Sequence, residues 1–456
     1  MRTARAVRSP RPAPSGSGPR SLTGGGCAYK PPTMPETTAS LPAAPLDDQR
    51  STWACLLSAP VLIAALGYFV DIYDLILFSI VRIPSLKDLG LSGEALTSVG
   101  VHLMNMQMIG MLIGGILWGV IGDRRGRITT LLGSILLYSL ANILNGMVGT
   151  VEQYAVLRLL AGIGLAGELG AGITLVVESL PRGKRGYGTM MVSAVGVSGA
   201  VVAYFVSLAD WRESYYIGGG MGLALLVLRL VAHESGMFAR LKSAGVGDGI
   251  ARGNVFALFT SRSRCARFLT CVAIGLPLWY VVGILVMLSP EMGRALGVTG
   301  EISGGKAVML TYVGLVFGDF ASGLVSQWWR SRKRAVALFM ALTAGTSAAY
   351  FAFRGVSPAA FYALMVVLGV FVGYWALFVT VAAEQFGTNL RATVATSVPN
   401  FVRGALVPMT LLFQAGKGTL GTLGAAAAVG GVVFAIAAIA LVFLRETFSA
   451  DLDYVE

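Results

Sequence analysis

From Trp53 onward the chain alternates long apolar stretches with short polar breaks. A helix needs roughly 20 apolar residues to cross a ~30 Å hydrocarbon layer. On that measure the pattern predicts spans near 54–81, 98–121, 128–149, 152–178, 187–208, 213–232, 266–289, 305–328, 335–353, 359–383, 393–415 and 419–444, twelve in all. Strands would need apolar and polar residues to alternate, and in lipid a helix satisfies its backbone polar groups within one segment. The expected fold class is therefore an all-α membrane protein, with twelve transmembrane helices in two pseudo-symmetric six-helix bundles.

Residues 1–52 read differently. They hold more than half of the chain's 17 prolines, with Gly, Ser and Arg and few large apolar side chains. Such a segment buries too little surface to offset its ordering entropy, so a disordered tail is expected. Met34 is a second candidate start of translation.

Composition sharpens the picture. Of 456 residues, 55% are hydrophobic and 13% charged, against roughly 25% charged in soluble proteins, and the mean hydropathy is +0.72. A soluble globule could not hide that much apolar surface, which excludes a cytoplasmic enzyme. The four cysteines lack paired spacing and there are two histidines, His102 and His233. No metal, cofactor or disulfide framework is expected. No soluble stretch is long enough for a nucleotide-binding domain, so ATP-driven transport is not expected either.

The net charge of +12 is a topology signal. Arg124, Arg125 and Arg127, then Lys184 and Arg185, then the 233–265 segment, then Arg330, Arg332, Lys333 and Arg334 fall in loops on the side of the N-terminus. Opposite loops carry few basic residues. The bias places both termini in the cytoplasm, in a plasma or bacterial inner membrane, and makes nucleic acid an unexpected partner. The expected organisation is a tail at 1–52, bundles at 53–232 and 266–444, a cytoplasmic central loop at 233–265 and a tail at 445–456. Glu178 and Arg185 after the fourth span are echoed, at the same spacing, by Glu384 and Arg391 after the tenth. Two six-span repeats around a midplane site is a common transporter design, here expected to work as a monomer among membrane lipids.

The loop after the second span reads Gly119-Val-Ile-Gly-Asp123-Arg124-Arg125-Gly126-Arg127. It resembles the signature loop G-x-x-x-D-R-x-G-R of the major facilitator superfamily. Gly119 would let helices approach closely and Gly126 would permit a tight turn. Asp123 could accept from a neighbouring helix N-terminus, and the arginines could pair with acids such as Glu178. The resemblance implies a cytoplasmic latch made of Gly119, Asp123, Arg124, Gly126, Arg127, Glu178, Arg185, Glu384 and Arg391. In the second half the loop is degenerate, with Gln327 where the family usually has aspartate.

Charges inside the spans are the functional lead, since each costs about 2.5–3.5 kcal/mol or more at a helix centre unless paired or wet. The first span contains Asp71-Ile-Tyr73-Asp74 and the fourth contains Arg158 and, ten residues on, Glu168. Asp74 and Arg158 should both lie about 10 Å below the outer surface and could meet. Proton-coupled sugar porters have a similar Tyr–Asp pair and a similar arginine. The resemblance implies Asp74 as proton acceptor, Arg158 as its partner, Asp71 as the alternative proton site on roughly the same face, and Glu168 as a second carboxylate. A static ion pair that fixes helix packing is the competing reading.

In the second half Asp319 and Arg403 should lie about 14–15 Å from the cytoplasmic end, near the midplane. The segment Pro399-Asn400-Phe-Val-Arg403-Gly resembles the eleventh span of organic-ion members of the superfamily. A guanidinium matches a carboxylate bidentately, so Arg403 is the leading substrate residue, with Asn400, Asp319 and Lys306 as companions. The competing reading has Asp319 neutralise Arg403. Trp279, Tyr280, Tyr374 and Trp375 are candidates to line a cavity. Arg229 lies near a span end and is expected to snorkel without a role.

Together these features predict secondary transport by alternating access, with a proton and a small organic anion moving together. Proton-driven export, sugar or polyol symport, and a transport-inactive membrane sensor are the alternatives.

Overall fold

The computed structural model describes residues 51–125, 127–180, 185–234 and 258–448, and these residues are helical throughout apart from short connections. After a short helix at Thr52–Leu56, the first six rods are α1 (Ala59–Asp88), α2 (Gly93–Arg125), α3 (Arg127–Asn145), α4 (Val151–Leu165, resuming as Glu168–Ser179), α5 (Arg185–Val197, resuming as Gly199–Val206) and α6 (Trp211–Glu234). The others are α7 (Arg262–Tyr280, continued by a π-turn at Val281–Val286), α8 (Gly304–Trp328), α9 (Arg332–Ala352) and α10 (Pro358–Val372, resuming as Trp375–Glu384). Helix Thr388–Gly404 runs on into Leu406–Phe443, which bends at Gly421 with φ 67°. We label the part before the bend α11 and 422–443 α12. Only glycine adopts that backbone without a Cβ penalty, so the sharp turn sits there.

Local chemistry sets the other boundaries. Thr150, Ser303, Ser331 and Ser357 each accept a hydrogen bond from a backbone N–H in the first turn of the helix they precede. Such side chains satisfy donors that have no partner within the helix. Gly297 ends the short helix Ser289–Leu296 in the left-handed conformation.

Among the described residues, eight stretches are long and apolar enough to cross a membrane by length and composition, and one of them, Thr393–Phe443, contains two rods. The third, fourth and sixth rods fall outside that set, and the last two carry Arg158, Glu168 and Arg229. The spans expected at 393–415 and 419–444 are instead divided at Gly421.

Antiparallel packing puts the connections at two ends. The near end holds the loops after α2, α4, α8 and α10, and the far end those after α1, α3, α7 and α9. Helices α2 and α4 touch backbone to backbone: a Cβ at Gly110 or Gly162 would meet the carbonyl oxygens of Leu159 or Gln107. The second half repeats this between α8 and α10, where Gly314 and Gly369 face the carbonyls of Val366 and Thr311.

The first six and last six rods meet along α1, α2, α4, α5, α8 and α11. At the far end Arg82 of α1 pairs with Glu291 at 2.7 Å, and the Thr97 hydroxyl donates to the same carboxylate at 3.3 Å. Below this, the Thr410 hydroxyl donates to Asn105 at 2.7 Å. Nearer the other end the Asn400 amide donates to the Ala166 carbonyl at 2.9 Å, and Gly170 lies against Thr396.

Candidate functional site

Between these two sets of contacts lies a narrow cavity of about 30 Å³, lined among others by Tyr68, Ile72, Trp279, Tyr312, Trp375 and Arg403. The Arg403 guanidinium carbon stands 5.9 Å from the Trp279 ring centroid and 5.4 Å from that of Trp375. A guanidinium near indole faces is attracted by their quadrupoles, and burial strengthens the effect.

The counter-charge of Arg403 is Asp71. Arg403 Nη2 and Asp71 Oδ2 are 3.8 Å apart, with side chains 1% and 0% exposed. That distance is too long for a hydrogen bond, so charge alone joins them across the two groups of helices. Arg403 Nε and both Asp71 oxygens have no hydrogen-bond partner among the described residues.

The competing reading, in which Asp319 neutralises Arg403, does not match this geometry. Asp319 instead accepts from the Ser193 hydroxyl of α5 at 2.9 Å and from the Ala376 backbone N–H at 3.0 Å. The second bond exists because α10 breaks after Val372, which exposes the N–H groups of a new helix start beside α8.

Asp71 and Asp74 also part company. On a helix, positions three apart point about 60° away from each other. Asp71 looks across to Arg403, whereas Asp74 looks into its own bundle, where Gly218 of α6 lies against its carboxylate. Asp74 and Arg158 are electrostatic neighbours but form no direct bond. Arg158 Nη1 donates to the Tyr215 hydroxyl at 3.1 Å, and its guanidinium carbon lies 5.4 Å from the Phe78 ring centroid. The Tyr215 hydroxyl in turn lies 2.6 Å from that of Tyr154.

Glu168 has a partner that the sequence reading set aside. Arg229 is not at the lipid interface: it is 4% exposed and pairs with Glu168 through both terminal nitrogens, one at 3.0 Å. The position near a span end suggested snorkelling, but α6 turns that face toward α4.

The four aromatic candidates divide. Trp279 and Trp375 line the cavity, but the Tyr280 hydroxyl donates to the Ala426 carbonyl at 2.9 Å and that of Tyr374 to Ile274 at 3.4 Å. These two brace helices. Asn400 is buried one turn from Arg403, with its amide nitrogen engaged by Ala166 and Thr396. Lys306 is exposed at the far end, its amine 4.8 Å from the Tyr362 ring centroid, and lies outside the cavity. Tyr68 and Tyr312 were not anticipated. Each precedes an acid on its own helix at i−3 or i−7, Asp71 and Asp319, and that spacing was the available signal.

Gly119 lies in α2, half-buried. Gly126 and the side chains of Asp123, Arg124, Arg127, Glu178 and Arg185 lie outside the described residues. In the second half, Glu384 accepts from Arg332 at 3.4 Å and from the Thr447 hydroxyl at 2.7 Å. Glu446 accepts from the Ser331 hydroxyl and from the backbone N–H of Arg332 at 2.8 Å. Burial alone would raise the Glu446 carboxyl, but bonds from Ser331, Phe448, Arg332 and Lys333 outweigh it and hold the group below its ordinary 4.5. Arg391 has an interaction of its own at this end.

The chain is 31% identical over 178 residues to a sialic acid transporter of Escherichia coli K12, covering 38% of this chain and 43% of that protein. The chain thus spans less than half the length of that relative. A gentisate transporter of Corynebacterium glutamicum matches at 24% identity over 361 residues, 74% of this chain and 76% of that one. Among solved structures, a proton:xylose symporter with 6-bromo-6-deoxy-D-glucose bound aligns with TM-score 0.65 and 16% identity, covering 86% of this chain and 97% of that one. That likeness shows the fold. The sequence profile of the Major Facilitator Superfamily matches residues 64–407. The chain belongs to the major facilitator superfamily, a family of multi-pass membrane proteins.

Proposed function

We propose that the protein carries a small organic anion, a flat carboxylate of aromatic type, together with a proton. The observation that carries this reading is Arg403: a buried guanidinium at the cavity wall, flanked by two indoles, with a single loosely held counter-charge. A carboxylate entering the cavity meets a bidentate donor, and an attached ring meets Trp279 and Trp375. Gentisate, the cargo named for one relative, has this chemistry.

Asp74 is the proton acceptor in this reading, with Arg158 as the neighbouring positive charge. The two six-helix bundles at 53–232 and 266–444 rock about the cavity. The basic loops at the near end support a cytoplasmic position for it, with the far end, closed by Arg82 and Glu291, facing outward. Asp71 supplies the link between the two cargoes: an anion that takes Arg403 releases the carboxylate that had neutralised it.

Purified protein in liposomes loaded with a pH-sensitive dye tests this. Internal acidification on adding benzoate-type carboxylates, absent in Asp74→Asn, is the expected result. Acidification with sugars and not with carboxylates would reassign the cargo. No proton movement with carboxylates, sugars or cations would remove proton coupling.

A further inference from the structure

Inside the first bundle, away from the cavity, four polar side chains of α3 line up. Tyr138, Asn142 and Asn145 follow the i, i+4, i+7 spacing of one helix face, and Ser139 sits beside them at i−3 from Asn142. All four are 0% exposed. Apart from a loose approach of Asn142 to Asp74, none of their side-chain atoms finds a hydrogen-bond partner among the described residues: not the Tyr138 hydroxyl, the Ser139 hydroxyl, nor the polar atoms of Asn145. The two oxygens of Asp74 and two nitrogens of Arg158 share that condition.

Unpaired buried polar groups are rare, because each costs about 1–3 kcal/mol. Here they form one continuous seam. Asn142 lies beside Asp74, and the Tyr138 hydroxyl is an electrostatic neighbour of Asp74, Glu168 and Arg229. The opposite wall is α6, whose Gly218 faces Asp74 and Tyr73, whose Gly219 faces Ser139 and Ile143, and whose Gly222 faces Ser139 and Tyr138. Three glycines in five positions leave polar atoms facing a wall without side chains.

We propose that this seam binds a chain of water molecules that delivers protons to Asp74. Polar buried sites with several unsatisfied donors and acceptors are where ordered water is held. From Asn145 at the far end of α3 to Tyr138, the seam runs seven positions, or ~10 Å. The amides of Asn142 and Asn145 orient the waters. The hydroxyls of Ser139 and Tyr138 both accept and donate, and they extend the chain toward Glu168. A hydronium ion from the outer aqueous phase gives a proton to the first water. At each hop one O–H bond forms as another breaks, and the last proton closes an O–H bond on the Asp74 carboxylate. The delivery step rests on Asp74 as the coupling site, whereas the presence of water does not.

Radiolytic hydroxyl labelling of the reconstituted transporter, read by mass spectrometry, tests both parts, since bound water generates the label in place. Tyr138 should label at least tenfold faster than Tyr280, which is equally buried but bonded to the Ala426 carbonyl. Equal slow labelling of the two tyrosines overturns the water chain. Asn142→Leu, which fills the seam, should abolish Tyr138 labelling and slow proton uptake at least tenfold, and Asn142→Ser should restore both. Failure of the serine variant to restore them, or undiminished proton uptake in Asn142→Leu, overturns the relay. Proton uptake that persists in Asp74→Asn overturns Asp74 as the acceptor, and Tyr138 labelling then still decides whether water is present.

Discussion

Arg403 of α11 and Asp71 of α1 face each other at 3.8 Å across the line where the two groups of helices meet, both fully buried and neither bonded to the other. A pair this loose is matched in charge but leaves the fork of the arginine open to a better-shaped acceptor. In Asp71→Asn the competitor for that fork is neutral, so the KM for carboxylate uptake should fall severalfold. In Arg403→Lys the fork is lost and KM should rise at least tenfold, about 1.4 kcal/mol. Initial rates of radiolabelled uptake check both directions.

Stacking should be separable from charge. Trp375→Leu keeps an apolar wall but removes the ring, and an aromatic contact is worth about 0.5–1.5 kcal/mol. Uptake of an aromatic carboxylate should weaken roughly 2- to 12-fold, and that of an aliphatic carboxylate of similar size much less. Competition between the two substrates gives the ratio directly.

Glu168 and Arg229 are a buried pair, and breaking one is costlier than removing both, because the survivor is left charged and alone. Glu168→Leu should lower stability by about 3–5 kcal/mol, with Glu168→Leu/Arg229→Leu recovering most of it. Thermal unfolding in detergent, followed by tryptophan fluorescence, distinguishes these.

At the far end Arg82 and Glu291 hold the halves together. Glu291→Ala should favour the state open at that end. A cysteine introduced by Thr410→Cys, just below the seal, should then react faster with a membrane-impermeant maleimide. An unchanged rate would show that the seal lies elsewhere.

The near end should respond to acid through Glu446. Its carboxyl is held below the ordinary value in the folded protein. The stability it gives is therefore complete above pH 4.5 and is lost as pH falls through the lower folded value. Melting temperatures of wild type and Glu446→Gln should converge below that window and diverge above it.

The helical architecture was legible because apolar length is a strong signal and lipid leaves the backbone few options. The cavity was legible in part. Arg403, Trp279 and Trp375 could be chosen because charge and aromatic residues stand out in apolar spans. Their partners could not, since the sequence gives a helix's faces but not which neighbour each face meets. Asp71 and Asp74 illustrate this: three positions apart, they serve different surroundings. Arg229 looked peripheral by depth alone, and only the rotation of α6 makes it internal. Tyr280 and Tyr374 sit beside cavity tryptophans in sequence, and one residue along a helix is enough to turn a side chain away.

The glycine contacts that join α2 to α4 and α8 to α10 fall in the parts of α4 and α10 that precede their breaks. Backbones in direct contact cannot slide without collision, so those parts are beams fixed to their neighbours. The segments beyond the breaks, Glu168–Ser179 and Trp375–Glu384, are joined to the beams by two residues each, Ala166 and Gly167 in a turn that stays near helical geometry, Gly373 and Tyr374 in one that leaves it. Each break is thereby a fulcrum. The near end can tilt about it while the far end keeps its packing, and the residues at the pivots, Glu168 and Trp375, are the ones tied to Arg229 and Arg403.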